Sequence, residues 1–135
     1  MFLFIGAFAL ALLLVFALFE HFLEPSPDFA PFHDQIVVTD SQMHYSQTEK
    51  GAFISVVGMI KNNSKFSWKG VELEVQYFDK DGKLIDTTSD REYNATILPQ
   101  GERAFRIRAQ ADRPEAAYAS HKVFVRAAKD DRSQF

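Results

Sequence analysis

The first 19 residues, MFLFIGAFALALLLVFALF, contain no charged and no strongly polar side chain. As an α-helix they would extend about 28 Å, which is close to the hydrocarbon thickness of a bilayer. A buried helix of a globular domain normally keeps one polar face, and this segment has none. The sequence therefore predicts a single transmembrane anchor helix over residues 1–24, in contact with the lipid bilayer.

The anchor is predicted to remain on the mature chain. A cleaved signal peptide begins with basic residues and ends in a pair of small residues, whereas here no Lys or Arg precedes the apolar run and no Ala-x-Ala pair follows it. The flank that follows is acidic, with Glu20 and Glu24. An acidic flank favours an extracytoplasmic (periplasmic-side) domain. It leaves a cytoplasmic domain open, because acidic residues contribute little to topology.

Small residues give one half of the predicted helix a smooth surface. Gly6, Ala7 and Ala11 include a pair of small residues spaced four apart, a spacing that supports packing between membrane helices. Ordinary Ala-rich, lipid-facing sequence explains the same residues, and it is the commoner case.

A proline-rich segment separates the anchor from the rest of the chain. Residues 25–34 contain three prolines: Pro25, Pro27 and Pro31. Proline cannot continue a helix and restricts the residue before it, so this segment is predicted to be a short, stiff linker. Phe29 and Phe32 are expected to rest either at the lipid interface or on the following domain.

From residue 35 onward, apolar residues recur at every second position, which is typical of β-strands. Residues 71–77 alternate most regularly, and residues 53–60 are apolar nearly throughout, which predicts a central strand covered on both faces. Turn signals at residues 79–82 and 99–101 separate the strands. The pattern predicts an all-β domain over residues 35–128, an antiparallel sandwich of about seven strands, followed by a charged tail over residues 129–135.

Several stretches of this domain match one known pattern. They are Val57-Gly58, Ile60-Lys61-Asn62, residues 71–75, Tyr77-Phe78-Asp79, Asp81-Gly82-Lys83, residues 98–102 and Phe105. Together they resemble the FxLYD family of bacterial β-sandwich domains over roughly residues 50–110. The resemblance implies an immunoglobulin-like fold, often found on membrane-anchored or secreted proteins, and no catalytic residue. The chain departs from the family pattern at Val75 and Tyr77-Phe78, where Phe, Leu and Tyr would be expected.

The composition argues against several classes of function. Cysteine is absent, which excludes disulfides, thiolate metal sites and cysteine nucleophiles. The net charge of −3 gives no reason to expect a nucleic-acid partner. The four histidines match no metal-site spacing, and no nucleophile motif accompanies them. We therefore predict no enzyme activity, no catalytic residue, no metal and no cofactor.

Two short polar stretches are interpreted as turns. Asp79, Asp81 and Gly82 begin like a calcium-binding loop, but the twelfth position is Asp90 where such a loop needs glutamate. A hairpin turn is the preferred interpretation. The residues 62–64, Asn-Asn-Ser, also favour a turn, because Asn tolerates left-handed conformations and bonds to its own backbone.

Charged and aromatic side chains supply the candidate contact residues. Outward-facing acids on residues 71–77 and arginines on residues 105–108 would form cross-strand ion pairs if the two strands are neighbours, and two patches of opposite charge if they are not. Trp68 is either a core residue or an exposed anchor. The predicted contact residues are Trp68, Arg106, Arg108 and Phe124.

These features favour a non-enzymatic, single-pass membrane-anchored β-sandwich. Its predicted role is that of a protein-interaction module or an accessory subunit of a larger membrane or envelope complex, whose partner is another membrane protein. The alternative is a binding module for a small ligand or an envelope polymer.

Overall fold

The computed structural model describes residues 27–132, without the side chains of residues 92–94. It contains six strands: β1 (Ile36–Thr48), β2 (Gly51–Asn62), β3 (Trp68–Phe78), β4 (Leu84–Ile97), β5 (Glu102–Gln110) and β6 (Ser120–Asp130). Two short 3-10 helices, Ala30–Gln35 and Glu115–Ala117, complete the regular structure. Within residues 27–132 there is no helix with the length and apolar character needed to cross a membrane. The predicted anchor over residues 1–24, with Gly6, Ala7 and Ala11, lies outside the described residues.

The strands form two antiparallel sheets that pack face to face, which confirms the all-β sandwich. Sheet A has the order β1-β2-β5, and sheet B has the order β4-β3-β6. About seven short strands were expected from the turn signals, whereas the described region has six longer ones. The difference arises in β4, which is one strand of 14 residues. Its polar first half pairs with β3, Asp86 with Tyr77 and Asp90 with Leu73, where the sequence offered no apolar alternation.

The core lies between the inner faces of the two sheets. The regular alternation of β3 is confirmed, since every second side chain from Val71 to Tyr77 is at most 1% exposed. Its fully buried partners in sheet A are Ile54, Val56 and Ile60 of β2. At about 25 cal/mol per Å² of apolar surface removed from water, this double layer supplies the main driving force for folding.

Gly58 of β2 marks the tightest approach within sheet A. A Cβ atom at this position would lie 2.2 Å from the carbonyl oxygen of Asp40 and 2.7 Å from the ring of Phe105. A glycine within an apolar strand often marks such a close approach of the backbone. The neighbouring irregularity is a register shift in β1 between Val38 and Asp40, opposite the same part of β2.

The segment after β3 is a hairpin turn, as predicted. One carboxylate oxygen of Asp79 accepts hydrogen bonds from the backbone N–H groups of Asp81 and Lys83, both at 2.9 Å. The Gly82 N–H bonds to the Asp79 carbonyl at 3.0 Å, and Gly82 has a φ of 77°. The Asp79 side chain is therefore used to stabilise the turn.

The Asn-Asn-Ser stretch also forms a turn, and its first residue is buried. Asn62 is 0% exposed, and its amide nitrogen donates to the carbonyl oxygens of Phe66 at 2.6 Å and Ile97 at 3.0 Å. Its amide oxygen accepts from the hydroxyl of Ser64 at 2.6 Å, and that hydroxyl oxygen accepts from Trp68 Nε1 at 2.8 Å. This polar cluster joins the end of sheet A to the end of sheet B.

The segment predicted as a linker, residues 25–34, packs against the sandwich over much of its described part. Phe29 is 8% exposed and belongs to the core, with its ring centroid 5.1 Å from that of Trp68. Phe32 packs on Phe66 at 5.0 Å, and the 3-10 helix Ala30–Gln35 leads directly into β1. Both phenylalanines therefore rest on the domain, the second of the two expected locations, because their rings complete an aromatic cluster around Trp68.

The start of the predicted tail is also structured. β6 continues to Asp130, which is 4% exposed and accepts a hydrogen bond from Arg132 Nε at 3.0 Å. Residues 133–135 lie outside the described part of the chain.

Candidate functional site

An apolar row runs along the outer face of sheet A. The inner-face residues of β2 are the even-numbered ones, so Phe53, Val57 and Met59 point away from sheet B. All three are partly exposed. β2 is the central strand of sheet A, so this row occupies the middle of the face.

Two arginines line one side of this row. Arg106 of β5 pairs with Val57, and Arg108 pairs with Ser55, so both side chains stand on the same outer face. Both arginines are exposed, whereas Phe105 before them and Ile107 between them are buried. The Arg108 guanidinium lies 4.0 Å from the ring centroid of Phe53, a distance at which the cation is attracted to the ring face.

Polar residues of β1 line the other side. Asp40 pairs with Met59 and Gln42 pairs with Val57, and both are exposed. Between β1 and β5 lies a depression of about 470 Å³, open to solvent, whose lining includes Asp40, Val57, Met59 and Arg106. We call the surface formed by Phe53, Val57, Met59, Arg106 and Arg108 the apolar-basic face.

The arginines of the apolar-basic face have no acidic partner in the structure. In residues 27–132, no salt bridge involves Arg106 or Arg108. Glu102, the acid that begins β5, pairs with Lys61 in the strand register. The face therefore combines apolar surface with two cations that are free to bind carboxylates or phosphates.

The outer face of sheet B is arranged differently, because its charges are paired. Glu72 accepts a hydrogen bond from Arg91 of β4. Glu74 accepts two from Arg126 of β6, at 2.8 and 3.2 Å, and one from Gln76 at 2.8 Å. The hydrogen bond from Arg126 is the main reason that the pKa of Glu74 is lowered, and the same bond raises the pKa of Arg126.

Two aromatic rings of sheet B are covered by cations of β6. The Arg126 guanidinium lies 4.7 Å from the ring centroid of Phe124, and Lys122 Nζ lies 5.5 Å from that of Phe78. Phe124 is partly buried in this arrangement. Phe124 thus lies among the charged and polar side chains of this outer face, which we call the charge ladder of sheet B.

The four predicted contact residues do not come together. Trp68 is 0% exposed, so its interpretation as an exposed contact residue is corrected: the indole is held in the core by Ser64 and by aromatic neighbours. Arg106 and Arg108 stand on the outer face of sheet A, and Phe124 stands on the outer face of sheet B. Of the two alternatives for the acidic and basic rows, the structure has them on different sheets, with the acids already paired within sheet B.

The apolar row was not recognised as a candidate site from the sequence. Its signal is the continuous apolar run over residues 53–60, which predicted a strand covered on both faces. In the structure sheet B covers the inner face of β2, and its outer face carries Phe53, Val57 and Met59 into partial contact with solvent. The run predicted coverage of both faces, and within residues 27–132 only the inner face is covered by a second sheet.

Two histidines bridge the seam where the edge strands β1 and β6 meet. His33 Nε2 bonds to the carbonyl oxygen of Val125 at 2.6 Å, and its Nδ1 lies 3.0 Å from the Asp34 carboxylate. His121 Nε2 bonds to the Ser41 hydroxyl at 2.9 Å. Burial lowers the pKa of His121. Among residues 27–132, no group of three or more His, Asp or Glu side chains is arranged to hold a metal ion.

Comparison with known proteins adds similarity of fold and no activity. No family model matches the chain, and no curated protein matches it either. A β-glucuronidase from glycoside hydrolase family 2 aligns over 52% of the chain with 18% identity and a TM-score of 0.40, and the match spans only 7% of that enzyme.

Two further solved structures align over more of their own length. Northeast Structural Genomics Consortium target SoR45 matches 72% of this chain and 86% of its own, with 14% identity and a TM-score of 0.45. A DUF1425 family member from Shewanella sp. pv-4 matches 68% of this chain and 80% of its own, with 14% identity and a TM-score of 0.40. The chain is thus similar to small β-sandwich proteins, and these similarities assign it to no family.

Proposed function

We propose that the chain is a non-enzymatic, membrane-tethered β-sandwich that docks on a neighbouring membrane protein through its apolar-basic face. It would act as an accessory subunit of a membrane or envelope complex, with the sandwich on the extracytoplasmic side. The observation that carries this proposal is the outer face of β2, where three large apolar side chains stand beside two arginines that form no salt bridge within residues 27–132.

The chemistry of the face defines the partner it would fit. Covering Phe53, Val57 and Met59 removes apolar surface from water, at about 25 cal/mol per Å². Arg106 and Arg108 are two residues apart on one strand, so their guanidinium groups project at a spacing of about 7 Å. A partner with apolar side chains flanked by carboxylates is therefore complementary in both surface and charge.

Tethering strengthens such a contact without adding any interaction. The apolar run over residues 1–19 would confine the sandwich to the membrane surface. Confinement raises the effective concentration of a membrane-bound partner to about the millimolar range that short linkers give. A modest face can then hold a stable complex, which suits an accessory subunit.

The finer fold is proposed to be immunoglobulin-like, in line with the FxLYD resemblance. The support is strand order: first, second and fifth strands in one sheet, fourth, third and sixth in the other. Strands A, B and E and strands C′, C and F have this arrangement in immunoglobulin-type sandwiches.

A small ligand or an envelope polymer is the alternative occupant of the same face. The observation that favours it is the depression of about 470 Å³ beside Arg106. This depression is open to solvent between two strands of one sheet, whereas small-molecule sites usually enclose most of the ligand.

Site-specific photocrosslinking in native membranes tests the proposal. A photoreactive residue replaces Val57 in the full-length chain, and the matched control carries it at Gln76, on the outer face of the central strand of sheet B. We expect one protein adduct of constant mass from position 57 and none from position 76. The combined variant Arg106→Glu, Arg108→Glu should abolish that adduct, while Lys122→Glu on sheet B should leave it intact.

Two results would overturn the docking proposal. One is equal crosslinking from both positions, which would mean non-specific contact. The other is an adduct that survives reversal of both arginine charges, because binding of the partner would then not depend on these arginines. An adduct with a glycan or a lipid-linked polymer in place of a protein would favour the alternative occupant.

A further inference from the structure

The end of the sandwich nearest to the N-terminal segment has an unusual surface. Two loops form it, residues 63–67 after β2 and residues 98–101 after β4, and we call them together the tip. The Gln100 N–H bonds to the Asn62 carbonyl at 2.7 Å, and Gln100 Nε2 bonds to the Asn63 carbonyl at 3.2 Å. The Asn63 N–H bonds in turn to the carbonyl of Gln35, which ends the first 3-10 helix. The tip is therefore one connected structure.

The free chain between the predicted anchor and the sandwich is short. The predicted anchor ends at Glu24, and Phe29 is already fixed in the core against Trp68. Five residues of fully extended chain reach at most about 17 Å. The point where the chain joins the sandwich must then lie within that distance of the end of the anchor.

That joining point lies near the tip. Asp28 and Phe29 border a depression whose other wall includes Ala127 and Ala128, within three residues of the end of β6 at Asp130. Asp130 pairs with Trp68, the first residue of β3 beside the tip. β3 has 11 residues and extends about 35 Å, so the hairpin turn at residues 79–83 lies well beyond the reach of the tether.

The tip exposes apolar and cationic side chains together. Leu98 is 62% exposed, and within the described region only Leu84, at the opposite end, is another exposed large hydrophobic residue. Phe66 is partly exposed, and Lys65 beside it is exposed with its Nζ 5.2 Å from the Phe66 ring centroid. A leucine, an aromatic ring and a lysine on one surface match the interfacial zone of a bilayer, where apolar groups enter and lysine contacts phosphates.

We propose that the tip rests on the bilayer surface, with Leu98 among the lipid headgroups and Lys65 beside lipid phosphates. This inference rests on the proposed membrane anchor and adds an orientation to it. The long axis of the sandwich then stands away from the membrane. The apolar-basic face, which runs along sheet A, is left facing sideways towards a neighbouring membrane protein.

Fluorescence quenching in liposomes tests this orientation. The chain contains no cysteine, so one introduced thiol carries the only label. Asn63→Cys places an NBD fluorophore on the tip, and Lys80→Cys places it on the far hairpin turn; both positions are exposed. The full-length labelled chain is reconstituted in phosphatidylcholine and phosphatidylglycerol vesicles that contain headgroup-spin-labelled lipid.

We expect about threefold more quenching at position 63 than at position 80, because the two sites differ by about the length of a strand in distance from the bilayer. Leu98→Asp, an exposed change that leaves the core intact, should reduce quenching at position 63 towards the value at position 80. Lys65→Glu should reduce it further in vesicles rich in phosphatidylglycerol.

The outcomes separate this inference from the anchor. If the chain does not float with the vesicles, the proposed anchor fails and the orientation fails with it. If the chain floats but positions 63 and 80 are quenched equally, the anchor stands and the orientation is overturned. Quenching at position 63 that is unaffected by Leu98→Asp would overturn the role of the leucine.

Discussion

The outer faces of the two sheets differ in whether their charged side chains are paired. On sheet B each glutamate of the central strand has an arginine on a neighbouring strand, Glu72 with Arg91 and Glu74 with Arg126. On sheet A the central strand shows Val57 and its apolar neighbours, and the arginines beside them form no salt bridge within residues 27–132. Within the described residues, the charges of the central strand are paired on sheet B, whereas the arginines on sheet A are not in salt bridges.

The difference shows that backbone hydrogen bonding within a sheet does not determine whether the side chains on its outer face have partners. Both central strands have a neighbour on each side, so their backbones are equally satisfied. Only the side chains of sheet A leave apolar surface and positive charge available. A partner is therefore expected on sheet A, and predictions about the two sheets should differ accordingly.

The largest expected difference between the sheets concerns their glycines. Gly58→Ala in sheet A forces a Cβ atom to within 2.2 Å of a backbone carbonyl, and should lower the free energy of unfolding by about 3 kcal/mol. Gly70→Ala in sheet B meets open space and bears only the cost of its φ of 55°, about 1 kcal/mol. Urea denaturation measures both, and a larger loss for Gly70→Ala would contradict the packing of sheet A.

The second prediction concerns the cluster that joins the sheets at one end. Asn62→Ala leaves the Ile97 carbonyl and the Ser64 hydroxyl without their buried partner, and should lower the free energy of unfolding by about 2 kcal/mol. The matched control is Asn63→Ala, next in sequence and exposed, which should change stability little. Equal thermal shifts for the two variants would show that the Asn62 amide is not stabilising.

The third prediction tests the seam between the sheets by pH. Burial lowers the pKa of His121 from its ordinary value of 6.5, so the unfolded chain takes up this proton more readily. The stability due to neutral His121 is present above pH 6.5 and is lost as pH falls through the lower folded pKa. His121→Gln should flatten the pH dependence of Tm in this range.

The fourth prediction concerns the charge ladder of sheet B. The lowered pKa of Glu74, due first to Arg126, means that its contribution is present above the ordinary value of 4.5 and is lost at lower pH. A double-mutant cycle with Glu74→Gln and Arg126→Gln should show a small coupling free energy that weakens at high salt, because both side chains are partly exposed to solvent. A coupling that persists in high salt would indicate that the ladder is more buried than it is in the structure.

The smallest expected change in stability is on the apolar-basic face. Val57→Ser combined with Met59→Ser should alter the free energy of unfolding by no more than about 1 kcal/mol, because both side chains are only partly buried in the isolated chain. The same pair should abolish co-purification of the partner with the full-length chain. A large loss of stability without loss of the complex would reverse the comparison and place the functional surface elsewhere.

Much of the fold follows from the sequence where local signals are strong. The alternation over residues 71–77 and the turn at Asp79 were both predictable, because each depends on residues close together in the chain. The continuity of β4 was not, since its residues between Asp86 and Asp90 are polar and pair only because β3 offers a long partner. Tertiary context decided that element.

The candidate site was predicted only in part. Arg106 and Arg108 were recognised as outward-facing, but whether acids would neutralise them depended on which strands are neighbours. The location of Trp68 depended on a hydrogen bond to Ser64 and on a phenylalanine from the predicted linker, neither of which has a sequence signature. The apolar-basic face is formed by strands that are distant in sequence, so its prediction requires knowledge of which strands are neighbours.

The burial of Phe29 also has a mechanical meaning. Tension applied from the N-terminal side reaches the contact between Phe29 and Trp68 before it reaches any strand. Once that contact yields, the load falls on the first 3-10 helix, which is held by the bond from His33 to Val125 and by the bond from Asn63 to Gln35. Only then does it reach Ile36, the first residue of the edge strand β1. The aromatic contact thus bears tension from the N-terminal side before the hydrogen bonds between β1 and β2 do.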